Sequence, residues 1–67
     1  MKDLTQNDQD LILTKTLDKL NLDKSKDFFI AVITKENHPN GATEILHNNS
    51  TYYVTIQFGD FVCIYLN

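Results

Sequence analysis

The sequence predicts an α+β domain in which one N-terminal amphipathic helix packs on a four-stranded antiparallel β-sheet. Three observations predict it. Apolar residues recur at helical spacing within residues 5–22. From residue 28 onward they come instead in short runs or in alternation. Those later runs are separated by Pro39-Asn40-Gly41, Asn48-Asn49 and Gly59-Asp60, each a turn former. A chain of 67 residues makes one domain, residues 1–67, and buries only about 60% of its unfolded surface. With one cysteine it has no internal disulfide, so good packing or self-association must supply its stability.

The helix is expected over about residues 5–22. Thr5 followed by Asp8 resembles a capping box with Asp in place of Glu, and Asp8 and Asp10 put negative charge where the helix dipole favours it. Ile12, Leu13, Leu17 and Leu20 share one stripe, and Asp10, Thr14, Lys15, Asp18 and Lys19 fall opposite. Leu11 points away from the stripe. Asn21 suits the C-terminus, and Asp23-Lys24-Ser25-Lys26-Asp27 reads as a polar linker.

Strands are expected at about 28–35, 43–47, 50–58 and 61–66. The first is apolar on both faces, Phe28, Ile30 and Val32 on one and Phe29, Ala31 and Ile33 on the other, which predicts burial on both. Asn48-Asn49 suits a type I′ hairpin, and Gly59-Asp60 a type II′ hairpin. The latter turn sets Phe58 opposite Phe61, Ile56 opposite Cys63 and Val54 opposite Tyr65, and gives the helix a continuous apolar face to cover.

A sheet roughly 15–20 Å across can be covered on one face by one helix. That leaves Phe29, Ala31, Ile33, Val62, Ile64 and Leu66 on the far face, with Tyr53 beside them. Contiguous exposed apolar surface marks interaction sites. The candidate partner-binding residues are therefore Phe29, Ile33, Tyr53, Val62, Ile64 and Leu66. Two intramolecular arrangements compete with this reading. The first strand beside the fourth would place two doubly apolar strands at the sheet centre, and a curled sheet would wrap part of the second face inward.

Composition excludes several function classes. Six Lys stand against nine Asp and Glu, and there is no Arg. Arg supplies the fork that reads guanine and grips phosphate, so nucleic acid is not an expected partner. Residues 1–27 carry a net charge of −1 and residues 28–67 of −2, without a block of like charge, which does not indicate a DNA mimic. Tyr53 is the one plausible platform for base stacking, and no basic groove accompanies it. His38 and His47 read as solvated loop histidines without metal-ligand spacing. Cys63, mid-strand under the helix, reads as a small hydrophobe rather than a nucleophile. Ser25 and Ser50 lack a recognisable base, and Gly41 and Gly59 are accounted for by turns, which leaves no phosphate-cradling loop. Catalytic residues, cofactor and metal are each expected to be none. No apolar run approaches a membrane span and no secretory leader pattern appears, so a cytoplasmic location is expected.

In size and in its acidic, Lys- and Asn-rich composition the chain resembles short proteins of phages and mobile elements, many of which block a host enzyme or a defence system of the CRISPR type. The resemblance implies a small non-enzymatic module that binds and occludes a host protein. The His38–Ala42 turn would add polar contacts. The alternative expectation is a homodimer or larger oligomer that binds a small molecule at its subunit interface.

Overall fold

The computed structural model describes residues 4–34 and 37–66. One helix, α1 (Gln6–Leu20), precedes four strands, β1 (Phe29–Thr34), β2 (Thr43–His47), β3 (Ser50–Gln57) and β4 (Phe61–Leu66). The strands form a single sheet in the order β1-β4-β3-β2. The expected helix on a four-stranded sheet is what the chain builds. The sheet is mixed rather than purely antiparallel, because β1 runs parallel to β4 while β4, β3 and β2 form an antiparallel meander.

The termini of α1 are set by local chemistry. The Thr5 side chain accepts from the Asp8 amide at 3.0 Å, and the Asp8 carboxylate accepts from the Thr5 amide at 3.2 Å, which completes the capping box. At the other end Asn21 adopts the left-handed conformation, φ 57°. Leu22 N–H then reaches Leu17 O at 2.9 Å and Asn21 N–H reaches Asp18 O at 3.2 Å, the two bonds of a Schellman motif. Ile12, Thr16 and Leu17 are the buried positions of the helix. Leu20, expected on the buried stripe, is 42% exposed.

Both hairpins of the meander turn on residues with positive φ. Asn48 and Asn49, at 50° and 64°, form the expected tight turn. The second hairpin departs from expectation by one residue. The chain reverses at Phe58 and Gly59, φ 56° and 81°, closed by Asp60 N–H to Gln57 O at 3.3 Å. Asp60 is then an extra residue, and Gln57 pairs with Phe61, Ile56 with Val62 and Val54 with Ile64.

A one-residue slip exchanges the two faces of β4. The physical reason lies in the core. The observed register sets Val62, Ile64 and Leu66 beside Tyr52, Val54 and Ile56, and with Ile12 and Ile45 they form an almost wholly aliphatic layer under α1. Burying one such side chain contributes about 1.5–3 kcal/mol. A non-glycine residue in the left-handed region costs about 1–2 kcal/mol. In the other register Phe61, Cys63 and Tyr65 would take these places, so what offsets the strained turn is the better packing of the aliphatic set under α1 rather than a gain in the number of buried residues.

β1 lies beside β4, one of the two arrangements raised by the sequence, but at an edge rather than at the centre. It is half-exposed, not buried on both faces. The doubly buried strand is β4, in which Val62, Cys63, Ile64 and Tyr65 are all buried. Because β1 and β2 occupy opposite edges, their connection has to cross the two central strands. It does so on the face away from α1. There the His38 ring stacks on Tyr53 with centroids 3.5 Å apart and planes at 3°. On this face Cys63 and Tyr65 are buried, so the middle of the far side is covered while Phe29 at its end stays exposed.

Candidate functional site

The register divides the six residues expected to form a partner surface. Phe29, Ile33 and Tyr53 share the face away from the helix. Val62, Ile64 and Leu66 lie on the opposite one, the first two fully buried and the third packed against the core. These last three leave the candidate surface for the reason given above, the exchange of β4 faces. Tyr53 is half-buried beneath His38, so its ring is not an open stacking platform. Cys63 moves to the far face yet remains buried, 2% exposed between Ala31 and Thr55 in the sheet row.

His47 is a correction. It is not a solvated loop residue but ends β2 at 4% exposed, facing α1. Its Nε2 lies 3.0 Å from Asp8 Oδ1 and its Nδ1 lies 3.2 Å from Lys15 Nζ. A lysine ammonium can only donate, so Nδ1 accepts and Nε2–H donates to Asp8. This bond, with the capping bonds of Thr5, holds the Asp8 carboxyl below its ordinary value. An Asp–His pair suggests general-base chemistry, but here both ring nitrogens are occupied and none is left to accept a substrate proton. The arrangement fastens the first half of the helix to β2.

Two further bonds extend that seam. Lys15 donates to Leu46 O at 3.1 Å and Lys19, one turn later, to Glu44 O at 2.8 Å. Both carbonyls belong to residues whose polar groups point away from β3, so the two lysines cap the open edge of β2.

The remaining surface of interest is aromatic and sits at the turn end of the sheet. Phe29 and Phe61 are paired across β1 and β4 on the far face, and Phe29 N–H donates to Asp60 O at 2.9 Å. Phe29 is 65% exposed, and Phe58, at the tip of the adjoining turn, is 92% exposed. The tip is held from below. Lys26 donates to Gly59 O at 3.0 Å, and its ammonium stands 5.9 Å from the centroid of Phe28. Gly59 is favoured here by its backbone, with φ at 81°, a region that L side chains rarely adopt.

No protein-family model, curated protein or solved structure matches this chain. Among the described residues no three His, Cys, Asp or Glu side chains cluster as metal ligands. No helix in them is long and apolar enough to cross a membrane.

Phe58 is the residue that sequence reasoning missed, since the expected turn placed it in the core. One signal pointed the other way. Shifting the turn one residue toward the N-terminus lets every β-branched residue of β4 join Val54 and Ile56 on one face, and it leaves Phe58 as the single aromatic without a partner.

Proposed function

We propose that this chain is a small non-enzymatic protein-binding module whose contact surface is the aromatic end formed by Phe29, Phe58 and Phe61. One observation carries the reading. Phe58 is unfavourable for the isolated fold on two counts, a left-handed backbone and a 92% exposed ring, in a turn where Asn or Gly would serve better. Strain of this kind at an exposed aromatic fits a residue retained for something outside the chain. Aromatic side chains dominate the energetics of protein interfaces, and Phe carries little conformational entropy to lose on binding. The Lys26 bond to Gly59 O and the short turn fix the backbone that carries Phe58, which lowers the cost of association.

The module acts by occlusion, covering the surface of another protein rather than transforming a substrate. The engaged nitrogens of His47 and the burial of Cys63 support this, since both groups best suited to chemistry are committed to the fold. The resemblance in size and composition to phage and mobile-element proteins fits a host protein, a defence component among them, as the one covered.

The test is capture of partners by the tagged chain from host cells, run in parallel with Phe58→Asn and Phe29→Ser. A protein recovered by the parent and lost with both variants supports the reading. Recovery of nothing above background, or a partner held equally by all three, overturns it.

A further inference from the structure

The two edges of the sheet are treated differently. The edge of β2 is capped by Lys15 and Lys19, which occupy its outward carbonyls. Among the described residues the edge of β1 has no such guard. Phe29 N–H points to β4, where it bonds Asp60 O, so the backbone groups of Phe29, Ala31 and Ile33 face inward and those of Ile30, Val32 and Thr34 face outward. Among the described residues no strand pairs with that edge and no hydrogen bond outside the ladders reaches it. The strand reads Phe-Ile-Ala-Val-Ile-Thr, without charge, proline or bulge, which are the devices that ordinarily blunt an open edge.

We infer that β1 pairs with β1 of a second copy of this chain, antiparallel about a two-fold axis at Val32, to give one continuous eight-stranded sheet.

Three features fit a second copy as the added strand. The outward residues are symmetric about Val32, so Val32 meets the partner's Val32 and Ile30 meets the partner's Thr34. Each is a hydrogen-bonded pair, and together they supply about six bonds. On the far face the same register sets Ala31 beside the partner's Ile33, small against large. On the helix face α1 is fastened to β2, which leaves Val32 36% exposed, and the partner's strand would cover that strip. A contact of one strand edge is small beside the ~1,200 Å² of a standard interface, so the dimer should be weak, with a dissociation constant in the range of about 1–100 μM. The outward edge residues Ile30, Val32 and Thr34 are distinct from Phe58, although Phe29 begins the same strand, so the two readings are told apart by Phe58→Asn.

Sedimentation equilibrium of the intact chain from about 1 μM to 1 mM should show the mass rise from the 7.7 kDa of one chain toward twice that. Val32→Lys places like charges at the axis and should weaken association at least about tenfold. Thr34→Lys, at an exposed position, should weaken it as well, and it decides the matter if Val32→Lys does not fold. Phe58→Asn should leave it unchanged. Hydrogen exchange should show the amides of Ile30, Val32 and Thr34 gaining protection with concentration while surface-loop amides do not. A monomer throughout this range overturns the inference. So does a dimer that tolerates both lysines and leaves those three amides unprotected, since its interface would lie elsewhere.

Discussion

Replacing Phe58 with Asn should make the protein more stable, against the usual direction of a Phe substitution. Phe58 holds φ 56°, a region that costs most L residues about 1–2 kcal/mol and that Asn enters readily through its own backbone hydrogen bonds. Little packing is lost in exchange. Burying a Phe fully contributes about 1.5–3 kcal/mol. With the side chain 92% exposed, roughly a tenth of that, about 0.2 kcal/mol, is at stake. The net expectation is a gain of about 0.5–1 kcal/mol, or roughly 2–8 °C in melting temperature for a domain of this size. Urea unfolding followed by circular dichroism measures it, with the midpoint rising and the slope unchanged. Destabilisation by more than about 1 kcal/mol would refute the reasoning. It would mean that Phe58 packs in the core, as the Phe58–Phe61 register requires.

Other substitutions probe the remaining parts of the fold. Ile64→Ala removes a fully buried side chain from the central strand and should cost about 3–4 kcal/mol, visible as a large fall in the urea midpoint; a loss below about 1 kcal/mol would contradict the observed register. His47→Ala takes away the bonds to Asp8 and Lys15 and should cost about 1–3 kcal/mol, whereas a solvated histidine would cost almost nothing. Asn21→Ala should cost about 1 kcal/mol and Asn21→Gly almost none, because only the left-handed backbone of the Schellman motif distinguishes them. The depressed folded-state pKa of Asp8 gives a sign for acid. Its stabilising contribution is present above the ordinary value of 3.8 and is lost as pH falls from there through the lower folded value. Asp8→Asn should therefore flatten stability against pH in that window, and an unchanged acid limb would contradict the seam geometry.

Much of the architecture could be read from local sequence because it is decided locally. Thr5 and Asp8 are three residues apart, Asn21 follows the helix directly, and Asn48-Asn49 closes its own hairpin, so each announces its role within a few positions. What was misread depends on partners distant in sequence. His47 looks like a loop histidine until the helix brings Asp8 and Lys15 against it. The partner surface expected at Val62, Ile64 and Leu66 failed through one residue at Gly59. Gly-Asp and Phe-Gly are both permissible turn centres, and the choice between them is made by how the aliphatic residues of β3 and β4 align. Phe29 and Ile33 kept their expected face because β1 has no such turn to slip.

The connection that carries the chain from one edge of the sheet to the other also imposes an order of assembly. Partners within the β2–β3–β4 meander are near neighbours along the chain, as with His47 and Ser50 or Gln57 and Phe61. Every β1–β4 pair, from Phe29 with Phe61 to Thr34 with Leu66, closes a much longer loop. The entropy of that closure is recovered only once β4 is already in place, so β1 should dock last and be the first strand released in partial unfolding. Until it docks, β4 offers an open edge made wholly of apolar and aromatic residues. The interval between meander formation and β1 docking is therefore when this chain is most exposed to exchanging strands with its neighbours.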